Sequence, residues 1–217
     1  MPETATPLLA VHRTPDRAPL VRRARLLALV GLAWHLGEAA VAIGAGVVAS
    51  SVALVGFGAD SLVEAVAGVV VLWRFAGARA GSGEAERRAQ RLIGASFYAI
   101  ALYVGVEATR SLIGGHEPDA SWVGIGLSVV TLVAMPPLAA AKSRVADRLG
   151  SAATRSEGRQ NLLCAYLSAA LLVGLLANAA LGWWWADPLA ALIVAGVAVR
   201  EGRAAWRGDP GCADGCC

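Results

Sequence analysis

The run Gly56-Phe-Gly-Ala-Asp60-Ser-Leu-Val-Glu64 sets two carboxylates four residues apart inside an otherwise apolar stretch from Ser51 to Trp73. Four residues is just over one helical turn, so both acids leave a helix on one face. A single ionised residue at the centre of a membrane helix costs about 2.5–3.5 kcal/mol on insertion scales, so a pair implies something that compensates the charge. Asp60 and Glu64 are therefore the first candidate site. The local alternative is that one acid hydrogen-bonds a neighbouring helix while the other stays protonated.

Outward from this stretch the same pattern repeats. The 217 residues are 57% hydrophobic and 16% charged, and the charges cluster between apolar runs long enough to cross a hydrocarbon core about 30 Å thick. No soluble domain of ordinary size is left over, and nothing points to nucleic acid. The expected class is an all-α membrane protein, a bundle of six transmembrane helices at about 24–48, 52–74, 91–113, 121–141, 160–182 and 187–203. Breaks fall at 76–91, at 114–119, at the polar stretch 142–159 and at Ala186-Asp187-Pro188. Met135-Pro136-Pro137 is expected to kink the fourth span.

The positive residues orient the bundle. Arg13, Arg17, Arg22, Arg23 and Arg25 precede the first span, and Arg74, Arg79, Arg87, Arg88 and Arg91 follow the second. Lys142, Arg144, Arg148, Arg155 and Arg159 follow the fourth, and Arg200, Arg203 and Arg207 close the sixth. Of the 19 Lys and Arg only Arg110 falls elsewhere, so the positive-inside rule places both termini in the cytoplasm of a multi-pass cell-membrane protein. Residues 1–23 are expected to form a disordered basic tail, 24–207 the transmembrane domain, and 208–217 a cysteine-rich tail.

Depth then selects partners for the acid pair. At 1.5 Å per residue, His35 and Glu38 lie about 15 and 20 Å beyond Arg25, while Glu64 and Asp60 lie about 15 and 21 Å from Arg74. Two adjacent helices thus bring an imidazole and three carboxylates to one depth, a set suited to a hard or borderline divalent cation. His35, Glu38 and, on the fifth span, Asn161 also read as a second shell or proton relay. In the fifth span Gln160, Asn161 and Cys164 are polar, but Cys164 is only about 7–8 Å past Arg159 and so is expected nearer the cytoplasmic surface. Glu107 and Arg110, three residues apart, are expected to pair locally, and Asn178 to serve helix packing. Cys212, Cys216 and Cys217 place three thiols on the C-terminal tail, where capture of a soft metal ion is expected.

Gly58-Ala-Asp60-Ser-Leu-Val-Glu64 together with Trp185-Ala-Asp187-Pro188-Leu-Ala-Ala191 resembles the membrane domain of the cation diffusion facilitator family, divalent metal/proton antiporters, over roughly residues 24–206. The resemblance implies a tetrahedral site made by a second-span pair, here Asp60 and Glu64, and a fifth-span His- or Asp-x3-Asp pair. The latter positions hold Gln160 and Cys164 or, shifted by one, Asn161 and Ala165. Family members usually carry a cytoplasmic ferredoxin-like domain after the sixth span, so a truncated relative is expected. A homodimer is likewise implied by the resemblance.

The expected function is efflux of a divalent transition metal in exchange for protons, with zinc first and cadmium, cobalt or iron as alternatives. Asp60, Glu64, Cys164 and Gln160 are the expected ligands and no tightly bound cofactor is foreseen. The expected partners are the lipid bilayer, metal ions, protons and a second copy of the chain. The rival is a non-transporting membrane protein that senses metal or serves a partner. An enzyme is not expected, since the spans carry no paired metalloprotease histidines and no nucleophile elbow.

Overall fold

The computed structural model describes residues 17–74, 83–115, 117–149 and 151–207. It is all-helical over these residues: α1 (Arg17–Ala49), α2 (Val52–Arg74), α3 (Gly83–Gly114), α4 (Trp122–Leu149), α5 (Ala152–Leu181) and α6 (Ala186–Arg207). Stretches in four of them, Ala18–Ala49, Val52–Val69, Trp122–Leu149 and Glu157–Leu181, are long and apolar enough to cross a membrane. Helices α1, α2, α5 and α4 pack in a closed ring, α1 on α2, α2 on α5, α5 on α4 and α4 on α1. Helix α3 pairs with α6, and this pair joins the ring through α2 and α5.

The bundle is apolar outside and partly polar within. Leu102, Val133 and Val173 are each about 70% exposed, as suits side chains meeting lipid. Inside, the largest fully buried groups include Phe57, Leu54 and Leu171, but also Lys142, Asn161 and Asp187. Small residues let helices close on each other: a Cβ at Gly58 of α2 would come within 2.7 Å of the Ile43 side chain and 3.0 Å of its backbone nitrogen on α1.

Capping residues fix the junctions. Ser51 Oγ accepts from the Leu54 backbone N–H and donates to Asp187, whose other oxygen accepts from the Ala53 N–H at 3.3 Å. An acid of α6 therefore caps the N-terminus of α2, where the helix dipole favours negative charge. Ser121 caps α4 by accepting from Gly124, Ser151 caps α5 by accepting from Thr154, and Gly182, at φ 66°, ends α5 in the left-handed region. Asn178 donates to the Pro118 carbonyl at 2.7 Å, tying α5 to the α3–α4 connection.

Helix bounds depart from expectation at three places: α1 begins at Arg17, inside the tail expected at 1–23, α3 begins at Gly83, inside the break expected at 76–91, and the fourth connection is far shorter than expected. The stretch 142–159 is not an irregular connection: α4 runs to Leu149 and α5 begins at Ala152. Its cations and acids lie on helical turns, two of them pointing inward. The charges resembled a loop because a cation-rich sequence beyond a span fits either arrangement.

Candidate metal centre

Helices α1, α4 and α5 each present a buried stripe of polar and small residues at spacings of three and four. On α1 these are Gly31, His35, Glu38 and Ala42, and on α5 Glu157, Asn161, Cys164 and Ser168, all buried. Helix α4 contributes Ser128, Thr131, Met135, Ala139 and Lys142. Such spacing aligns side chains along a single helix face, and the three faces converge.

Glu38 is the hub. One of its oxygens accepts from Thr131 Oγ1 of α4; the other accepts from Ser61 Oγ of α2 at 3.0 Å and lies 3.6 Å from the Cys164 Sγ of α5. His35 Nδ1 is 3.4 Å from the same Glu38 oxygen and 3.0 Å from Glu64 Oε2. Four helices thus meet on one carboxylate. His35, Glu38, Glu64 and Cys164 each offer a donor atom within 4.8 Å of the others, and all four are buried.

Glu64 Oε2 receives no aligned hydrogen bond despite the nearby imidazole. A buried acceptor left open this way is uncommon and invites a cation. Tetrahedral zinc, with bonds of about 2.0–2.3 Å, sets its ligands about 3.3–3.8 Å apart, so the four donors need only a modest contraction to surround an ion. The donor set of imidazole, two carboxylates and one thiol matches borderline to soft divalent ions.

The residues expected from sequence distribute as follows. Glu64, His35, Glu38 and Cys164 come together. Cys164 reaches this depth because α5 starts seven residues before Arg159, so counting from that arginine placed the thiol too near the surface. Asp60 is buried at 6% exposure but lies outside the four-donor group, within electrostatic range of Glu38 and of Glu201 on α6. Gln160 is half-buried on α5. Asn161 accepts from Lys142 at 2.9 Å and donates to the Met135 sulfur at 3.1 Å. Glu107 and Arg110 form an exposed local pair at 2.7 Å. Cys212, Cys216 and Cys217 lie outside the described residues.

Thr131, Ser61, Lys142 and Glu157 were not singled out by sequence. Their signal was the three-and-four spacing of small and polar residues within apolar helices. It is faint at Thr131 and Ser61, and at Lys142 and Glu157 it is masked by neighbouring surface charges.

The chain is similar to an uncharacterized transporter of Synechocystis sp., 26% identical over 179 residues that make up 79% of this chain. It spans 58% of that relative's length. The profile of the cation efflux transmembrane domain matches residues 28–206. With its six-helix bundle and an acid-lined interior, the chain belongs to the cation efflux family.

Proposed function

We propose that this chain moves a divalent transition-metal ion across the cell membrane through the His35–Glu38–Glu64–Cys164 centre. Zinc is the leading substrate and cadmium the next. The observation that carries the reading is the buried meeting of those four donors within 4.8 Å. The thiol favours zinc and cadmium over magnesium or calcium, which prefer all-oxygen shells.

Exchange with protons follows from the ligands' chemistry. Cys164 must shed its S–H proton to become a thiolate ligand, and His35 must present an unprotonated ring nitrogen. Metal binding therefore releases protons, and lowering the pH weakens it. Ser61 and Thr131 orient Glu38 through hydrogen bonds, which holds its oxygens toward the group. Alternating exposure of the centre, by rocking of one helix group against another, would couple the two fluxes. The bilayer, protons and a second copy of the chain are its partners in this reading, and Asp60 serves as an approach carboxylate.

The test is zinc or cadmium uptake into proteoliposomes under an imposed pH gradient. Wild type is expected to accumulate metal when the gradient is present, while Glu64→Gln and Cys164→Ser accumulate little. Equal uptake by all three would reject the centre. Metal binding without flux in the wild type would favour the rival, a membrane metal sensor.

A further inference from the structure

One turn from the centre, toward the cation-rich ends of the helices, the interior holds a charged pair that the transport chemistry leaves unused. Gly31 of α1 precedes His35 by one turn, about 6 Å. A Cβ at Gly31 would come within 2.6 Å of Lys142 Nζ, and one at Gly68 of α2 within 3.5 Å of Glu157 Oε1. Lys142, 1% exposed, ion-pairs with Glu157 Oε1 at 3.2 Å and donates to Asn161 at 2.9 Å. At this level α1 and α2 contribute glycines and α4 and α5 contribute the charges. The space left by two missing side chains is filled by a lysine and a glutamate.

An ion pair is a poor way to fill such a space for stability alone. Replacing a buried pair by apolar groups of similar volume is often neutral or stabilising. The pair is also incompletely bonded, because Glu157 Oε2 has no hydrogen-bond partner among the described residues. The helix that carries Lys142 lacks two of its backbone hydrogen bonds. Pro136 and Pro137 lie between Thr131, which holds Glu38, and Lys142, and neither proline can donate a helix hydrogen bond. Fewer backbone hydrogen bonds therefore join the lower, Lys142-bearing part of α4 to the part that holds the centre.

Resting on the transport reading above, we propose that Lys142 and Glu157 form a charged gate across the cation-rich-side approach to the four-donor centre. The tethered ammonium stands where an arriving dication must pass and repels it. Swinging the lower part of α4 carries the ammonium away and leaves Glu157 facing the approach as an attractive carboxylate. Gly31 and Gly68 supply the clearance for that swing. Lys142 bonds to Glu157 and Asn161 and to none of the four donors.

The gate is tested by the rate at which cobalt(II) fills the centre, read in stopped flow from the thiolate-to-cobalt absorption of Cys164. The protein is the full chain in detergent with Cys212, Cys216 and Cys217 replaced by Ser. The variants are Lys142→Met and Lys142→Met/Glu157→Gln, the second leaving no unpaired buried charge, with Lys142→Arg as the conservative control. Removing the ammonium is expected to accelerate filling by about tenfold or more at unchanged amplitude, and Lys142→Arg to remain slow. An unchanged rate in whichever variant retains the band, or loss of the band in both, overturns the gate and leaves the pair a structural one. A wild type that binds cobalt with no thiolate band overturns the centre itself, and the gate with it.

Discussion

Glu38, not Asp60, has the densest set of partners among the interior carboxylates. It faces a thiol, two hydroxyls and an imidazole from four helices. Asp60 is buried outside the four-donor group, where its charge interacts with those of Glu38, Glu64 and Glu201. The two acids should therefore respond differently to neutralisation. Glu38→Gln is expected to weaken zinc binding by more than about tenfold, since the change removes a ligand and unsettles the hydroxyls aimed at it. Asp60→Asn should weaken binding less and act mainly on the rate of uptake. Calorimetric zinc titration of both variants checks the order, and a larger affinity loss at Asp60 would reverse the assignment. Glu64, His35 and Glu38 were legible in the sequence because one acid pair and a depth count bring them together. Cys164 was identified as a candidate, yet its depth was misjudged.

At the scale of helices, the apolar runs disclosed six elements because lipid demands continuous helical hydrogen bonding. What sequence could not separate was the end of a span from the end of its helix. Helices α4 and α5 continue well past the apolar core, and so Lys142, counted with the surface cations, and Glu157 in the same polar stretch turn out to be interior. Their place is recoverable from periodicity: Glu157, Asn161, Cys164 and Ser168 follow one stripe, and Thr131, Met135 and Lys142 another. The Asp187 motif, read as a family mark, has a concrete role as the cap of α2. Asp187→Ala is expected to cost about 1–2 kcal/mol, as loss of an N-cap does, and to lower the melting temperature in detergent with cobalt affinity nearly intact. An unchanged melting temperature would mean that the cap adds nothing.

At the scale of the molecule, a ring of four helices encloses the polar interior while α3 and α6 flank it as a pair. This division explains why the donors come from α1, α2 and α5, with α4 supplying Thr131 and Lys142 from the fourth side. A sequence shows which residues are polar at a given depth, but which helices adjoin is settled by packing of small residues across pairs such as Gly58 and Ile43. The fifth span's missing acids thus find their counterweight in the first span, where His35 and Glu38 bring nitrogen and oxygen to the thiol of Cys164.

The most direct measurement of that arrangement is zinc K-edge X-ray absorption on the purified full chain with Cys212, Cys216 and Cys217 replaced by Ser. A centre of His35, Glu38, Glu64 and Cys164 gives one sulfur at about 2.3 Å and nitrogen or oxygen scatterers near 2.0–2.1 Å, with the sulfur lost in Cys164→Ser. A shell of nitrogen and oxygen alone in the Cys164-containing protein, or a sulfur that survives Cys164→Ser, would contradict it.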